Sequence, residues 1–298
     1  MKKENKSRLL FIISMAIFGT IGLFVKNIPL PSAEIALYRA IFATILIGLF
    51  LLISRQRIEL GKIKKELPLL ILSGVAMGFN WILLFEAYKY TTVSAATLSY
   101  YFAPVIVTIA CPILFREKMT PKQIICFAAS TLGIVLITGI GDMSLGNNHF
   151  LGILFGLGAA VFYAMVVLIN KLIKNTEPVG RTLLQFVAAI IILLPYVLLT
   201  DGVHITELRV GGWINLLIVG LIHTGLAYCM YFSAVGNLEG QSVAVLGYID
   251  PLVAVLVSVT LLGERMSVWQ AIGGLMILGF TLMNEIRIKR RGHDEEGI

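Results

Sequence analysis

Charge is scarce in this chain. Of its 298 residues only 14% are charged, 58% are hydrophobic, and the mean hydropathy is +0.90. That balance excludes an ordinary soluble domain, whose surface needs far more charge to stay dissolved. Catalytic signatures are missing too. No H-E-x-x-H, G-x-S-x-G or G-x-x-x-x-G-K-[ST] occurs, which speaks against a zinc peptidase, a serine hydrolase and an ATP-driven pump. The few ionisable groups in apolar segments form no recognisable catalytic set, so a membrane-embedded enzyme is set aside. The three cysteines, Cys111, Cys126 and Cys229, sit in apolar segments without paired spacing and read as small buried hydrophobes. His223 has no second ligand near it in sequence, so no metal site and no cofactor is expected.

What the chain does have is long apolar runs. Each is long enough to cross a hydrocarbon core of ~30 Å, and in lipid such runs must be helices, because only then are all backbone groups satisfied within the segment. A membrane β-barrel would show short alternating segments instead. Ten spans are expected, at 9–25, 33–53, 67–87, 94–115, 123–138, 150–170, 182–199, 213–232, 242–262 and 269–286. The basic residues from Met1 to Arg8 raise the question of a signal peptide. The apolar run continues to Val25 and has a counterpart in the second half, so it reads as a retained first helix.

Lysine and arginine set the orientation, since cytoplasmic loops carry the excess. With the N-terminus inside, inner segments hold 19 of them. Outer loops hold four, Lys26, Lys89, Arg209 and Arg265, and Arg39 lies within a span. Both termini are therefore expected in the cytoplasm and the protein in the cell membrane, with the lipid bilayer as its surroundings. The same asymmetry accounts for the net charge of +7, so the basic balance calls for no nucleic acid.

The halves of the chain repeat each other. At an offset of 147 residues, Gly78 matches Gly225, Phe85 matches Phe232, and Ala87 matches Ala234. Tyr101 and Pro104 match Tyr248 and Pro251, and Glu117, Met119 and Gln123 match Glu264, Met266 and Gln270. Farther upstream the register drifts and Lys26 falls opposite Lys171. Five spans per repeat is an odd number, so the second copy enters the membrane upside down, an arrangement typical of secondary transporters. The expected fold is an all-α integral membrane protein of ten transmembrane helices built as two inverted five-helix repeats. Residues 1–139 would form the first repeat, 140–148 an outer linker, 149–286 the second repeat and 287–298 a basic cytoplasmic tail.

The run Tyr248-x-x-Pro251, Gly263-Glu264-Arg265-Met266, Gln270 and Gly273-Gly274 resembles the second half of an EamA-type member of the drug/metabolite transporter superfamily. Tyr101-x-x-Pro104, Glu117-Lys118, Pro121 and Gln123 echo it in the first half, and Phe18-Gly19 and Arg39 also fit. The family pattern more often has Trp where Phe18 stands. The resemblance covers nearly the whole chain. It implies ten helices, a central cavity lined by spans one to four and six to nine, and export of small metabolites.

Polar groups at membrane depth are costly and tend to face a cavity or a partner. Asp250 lies mid-span before Pro251, opposite Ala103 in the repeat, and is the first candidate for binding a proton or an ammonium group; a brace to Tyr248 or to a helix backbone is its plain alternative. His223, mid-span, is a candidate for substrate or proton binding or for pairing with Asp250, and a packing histidine is as good a reading. Trp81 and Phe85, with Phe18, Tyr100, Tyr101, Tyr163 and Tyr248, form a candidate aromatic cavity wall, and Asn80 beside them can donate and accept hydrogen bonds; aromatic walls suit amphipathic solutes, including ammonium groups. Several of these rings read equally well as ordinary packing or an interfacial belt, but Tyr101 and Tyr248 each precede a mid-span proline by three residues. Arg39 is expected to pair with Glu34 or Glu86 as an outer gate or a static anchor. Glu117 and Glu264 read as caps or loop organisers, and the small residues Gly152, Gly156, Ala160, Ala164, Gly273 and Gly274 as close packing.

These expectations describe a secondary transporter exporting a small-molecule substrate, a metabolite such as an amino acid or related compound, by alternating access. An exporter of cationic or aromatic drugs would need the same architecture, and a non-transporting or lipid-handling membrane subunit is the alternative of another class. Protons and a second copy of the chain, as a homodimer, remain open as further partners.

Overall fold

The computed structural model describes residues 2–55, 63–115, 120–137, 146–200, 202–238 and 240–285. The expected tail at 287–298, Glu117 and most of the expected linker lie outside the described residues. Among those residues the regular elements are all helical. They run α1 (Lys2–Gly19), α2 (Ile21–Val25), α3 (Ser32–Ile53), α4 (Leu67–Tyr90), α5 (Val93–Tyr100), α6 (Ala103–Phe115), α7 (Pro121–Ile137), α8 (Gly146–Leu172) and α9 (Pro178–Leu199). After a short 3₁₀ turn come α10 (Val210–Val235), α11 (Gly240–Gly247), α12 (Ile249–Thr260) and α13 (Val268–Glu285).

Seven stretches are long and apolar enough to cross a membrane: Glu4–Val25, Ser32–Ile53, Leu67–Tyr90, Val93–Ala110, Asn148–Leu172, Pro178–Leu199 and Val210–Val235. Three shorter apolar helices, Pro121–Ile137, Val245–Thr260 and Val268–Asn284, fall where the sequence places its fifth, ninth and tenth spans.

Four of the expected spans are not continuous α-helix. The first breaks at Thr20, whose hydroxyl turns back to the Ile17 carbonyl at 2.8 Å. The fourth breaks between Tyr100 and Ala103 and the ninth at Tyr248. Each of these two breaks precedes a proline, Pro104 or Pro251, which has no N–H to bond the carbonyl four residues earlier and whose ring crowds it. Proline in the first turn of the next helix costs nothing, because those N–H groups have no helical partner anyway. In α10, Ile218–Leu226 is π-helical, the wider turn often met at functional sites.

The helices pack in groups. α4 runs along α8 and α9, and α9 lies along α3. α7 pairs with α13, and α1 packs on α10 and α12. Without a hydrophobic force between helices in lipid, close van der Waals contact and small residues hold such pairs. Gly133 and Gly273 do this for α7 and α13: a Cβ on Gly133 would stand 2.7 Å from the Gly273 carbonyl oxygen, and one on Gly273 would stand 2.5 Å from that of Gly133. Gly19 plays the same part beside the ninth-span break, where a Cβ would collide with the Asp250 carbonyl oxygen.

Candidate functional site

The three helix breaks meet around a cavity of about 620 Å³. Phe18 and Gly19 come to it from the first break, Tyr100 and Tyr101 from the second, and Gly247, Tyr248 and Asp250 from the third. α3 adds Arg39, α4 adds Asn80 and Trp81, and α8 adds Tyr163. Discontinuous helices leave backbone groups and helix ends at membrane depth, and such places line cavities or pathways.

Asp250 sits in the first turn of α12, where the positive end of the helix dipole favours a carboxylate. The Tyr101 hydroxyl donates to its Oδ2 at 2.7 Å. The repeat-related rings of Tyr101 and Tyr248 stand 6.4 Å apart, and Tyr100 touches both Tyr101 and Tyr163, at 5.9 and 5.3 Å. On the other side the rings run in a chain. Phe18 meets Tyr228 at 5.2 Å, Tyr228 meets Phe186 at 5.5 Å, and Phe186 meets Trp81 at 5.1 Å. The Arg39 guanidinium lies 4.5 Å above the Trp81 ring. Asn80 also lines the cavity, and its amide donates to the Ala159 carbonyl at 2.7 Å, tying α4 to α8. Tyr163 is 41% exposed and stands at the cavity's edge.

Three expected site residues lie elsewhere, and the wall candidate Phe85 is fully buried and does not line the cavity. His223 does not line the cavity and does not meet Asp250. It is 2% exposed, and its ring nitrogens meet the Thr20 hydroxyl at 2.8 Å and the Ile218 carbonyl at 3.2 Å. The π-helical turn brings that carbonyl, five residues back, within reach, so His223 joins the broken first span to α10. Arg39 pairs with neither expected glutamate. Glu34 accepts the His204 backbone N–H at 2.9 and 3.1 Å, and Glu86 pairs with Lys89 at 3.0 Å on its own helix. Both glutamates spend their charge on nearer donors, and Arg39 turns inward to the cavity.

At one end of the cavity the lining is buried, with Tyr88 3% and Thr97 4% exposed. These two residues form the ceiling, with their hydroxyls 3.4 Å apart. Beyond them the Glu264 carboxylate gathers three elements: it pairs with Lys26 after α2, accepts the first N–H of α5 from Val93 at 2.7 Å, and accepts the Ser258 hydroxyl of α12. Expected as a cap or loop organiser, Glu264 caps a helix of the other half. The opposite end is lined by Asn170, Lys171, Arg181 and Gln185 and reaches the surface at the exposed Lys171. There Gln185 donates to Ser73 at 2.6 Å and to Asn170 at 2.7 Å. Among the 19 inner basic residues, the sequence marks Arg181 as a loop charge and Lys171 as a loop charge and the repeat counterpart of Lys26, neither as a cavity group. Sequence reasoning passed over Gln185, although an amide inside the seventh span carried the same depth signal as Asn80.

An all-helical, multi-pass membrane protein whose broken helices enclose a largely apolar, aromatic-walled cavity carrying a few charged and polar groups is the class defined by these features. Comparison with known proteins makes this specific. The model of the EamA-like transporter family matches twice, over residues 5–139 and 150–284, and the chain belongs to that family. It is 32% identical to a Bacillus subtilis (strain 168) protein described as uncharacterized transporter YxxF, over 98% of this chain and 92% of that protein. Protein PecM of Dickeya dadantii (strain 3937) is 25% identical, with 87% and 86% covered. A solved crystal structure superposes with a TM-score of 0.65 at 16% identity, covering 94% of this chain and 96% of its own, which is a likeness of fold.

Proposed function

We infer that the chain is a secondary transporter of the cell membrane that exports small metabolites, such as amino acids or related compounds, by alternating access. The observation that carries this reading is the cavity at the three helix breaks, buried at the Glu264 end and reaching the surface at the Lys171 end. The excess of lysine and arginine at the Lys171 end fits a cytoplasmic location, with both termini on that side. The cavity then faces inward, ready to load an exported solute. The twofold family match and the meeting of Tyr101 with Tyr248 at the cavity support two inverted five-helix repeats, 1–139 and 149–286. Exchange between mirror-related states follows from such a pair.

In this reading Asp250 binds a proton or an ammonium group, and Phe18, Trp81, Tyr101, Tyr163 and Tyr248 shape the wall. Asn80 and His223 hold the helices that carry them. The outer gate is carried by Lys26 and Glu264. The chain of aromatic rings favours a second reading, export of cationic aromatic compounds. Purified protein in liposomes, assayed by counterflow with labelled amino acids, nucleobases, sugars and organic cations, tests both. Saturable exchange of amino acids supports the first reading. Exchange restricted to lipophilic cations supports the second, and no saturable flux with any of them rejects transport of these solutes.

A further inference from the structure

Arg39 is 5% exposed and lies within a membrane-spanning helix, yet no carboxylate pairs with it among the described residues. A buried charge left in that position is expensive unless something neutralises it. Its surroundings hold the guanidinium still without neutralising it. Trp81 and Phe85 lie under it at 4.5 and 5.5 Å, and its Nε–H donates to the Thr224 hydroxyl at 2.7 Å. That hydroxyl has already committed its own hydrogen to the Val219 carbonyl at 2.8 Å, five residues back along the π-helical turn. It is left as a pure acceptor aimed at Arg39. A guanidinium has five N–H donors. The four on its terminal amino groups meet no acceptor among the described residues, and the side chain lines the cavity.

We propose that Arg39 is the anion anchor of the cavity, taking the carboxylate of the transported solute, with Thr224 as the positioning residue that aims it. This rests on the transporter reading above. A planar carboxylate accepts two parallel N–H bonds from the guanidinium fork. A carboxylate is chosen over a phosphate because Asp250 lines the same cavity, and a dianion would be repelled there more strongly than a monoanion. Lysine cannot replace the fork, and valine at 224 keeps the shape while removing the acceptor.

The experiment is binding to the detergent-purified full chain, read by thermal shift and intrinsic tryptophan fluorescence, because Trp81 lies directly beneath the guanidinium. The probes are matched sets of an amino acid, its amide and its decarboxylated amine, together with simple carboxylates. In at least one set the acid binds about tenfold or more tighter than its amide, a difference of roughly 1.4 kcal/mol. Arg39→Lys erases that preference. Thr224→Val reduces it several-fold and Thr224→Ser restores it, which a merely structural threonine would not do. Should Arg39→Lys fail to fold, the Thr224 pair decides. Acids and amides binding alike, or a panel in which no carboxylate binds, overturns the anchor. Counterflow of uncharged or cationic solutes in that case leaves transport itself standing, so the two conclusions fail separately.

Discussion

The charges that join helix ends outside the cavity and the charges that face the cavity are held in opposite ways. Outside the cavity Glu264 and Lys26 neutralise each other, and the carboxylate also takes a helix N–H and a hydroxyl. In the cavity, Asp250 and Arg39 line the same space without pairing. Asp250 is held by the hydroxyl of Tyr101, and Arg39 by the hydroxyl of Thr224 and two aromatic rings. Neutral partners fix direction but leave charge uncompensated. A gate needs a contact that is complete in one state and broken in the other. A binding site needs groups that are oriented and still able to bind.

The largest effect should come from erasing one cavity charge. Asp250→Asn keeps the size of the side chain and its capacity to accept from Tyr101, so the fold should hold, with thermal stability close to that of the parent. Transport should fall by about tenfold or more, and whatever pH dependence the parent shows should vanish with it. A change of that size corresponds to roughly 1.4 kcal/mol in the barrier. Normal flux with an unchanged pH profile would remove Asp250 from the mechanism and reduce it to a brace for Tyr101.

How far the sequence foretells this arrangement depends on the range of the interactions. Apolar runs are local and long, so helix positions are legible, and Tyr-x-x-Pro marks two of the breaks because proline acts on its own helix. The break at Thr20 and the π-helical stretch over Ile218–Leu226 have no such local mark. Aromatic residues and Asp250 are legible as polar or amphipathic groups at depth. The partners of Arg39, Glu34 and Glu86 are not, because three charges near one end of a bundle leave several pairings open. Only the packed helices decide that Glu34 reaches His204, 170 residues away, and that Arg39 reaches Thr224, 185 residues away. The family resemblance supplied the cavity, and the repeat pointed to Tyr101 and Tyr248, but neither marked Glu264 as the link between the halves.

A smaller effect is expected from loosening the Glu264 end. Glu264→Gln still accepts the Val93 N–H but loses the charge that holds Lys26. Ion pairs with some solvent access contribute about 0.2–1 kcal/mol, which is a shift of roughly 1.4- to fivefold between closed and open forms. In a variant freed of native cysteines, Thr97→Cys reports on the ceiling. Its reaction with an impermeant maleimide from the Glu264 side should quicken by about that factor in Glu264→Gln, and as much in Lys26→Gln. The double variant should add nothing further, since both remove the same contact. Equal labelling rates in parent and variants would show that this ion pair does not govern closure.

The smallest effect concerns a carboxylate, Glu66, that is not paired with a cation among the described residues and does not line the cavity. Glu66, just before α4, accepts the backbone N–H of Lys174 at 2.8 Å and of Asn175 at 3.1 Å, the Asn175 amide at 3.0 Å and the Thr176 hydroxyl at 3.0 Å. It ties the start of α4 to the loop between α8 and α9, helices already packed along α4, so it firms one group of helices and does not bridge a gate. The Lys174 N–H first, and then the other donors, hold its carboxyl below the usual glutamate range against the opposing pull of desolvation. A folded value below the unfolded one, near 4.3, means that the ionised group stabilises the fold at pH above that value. That contribution is lost as pH falls through the lower, folded value. Glu66→Gln should therefore lower thermal stability slightly near neutral pH, leave the flux and the Thr97→Cys labelling rate unchanged, and flatten the loss of stability seen on acidification below about pH 4.3. Melting curves of the two proteins that stay parallel through the acid range would mean that Glu66 does not titrate differently in the folded state. An altered labelling rate would mean that the carboxylate at the open end also takes part in gating, and the contrast between the two ends would then have to be redrawn.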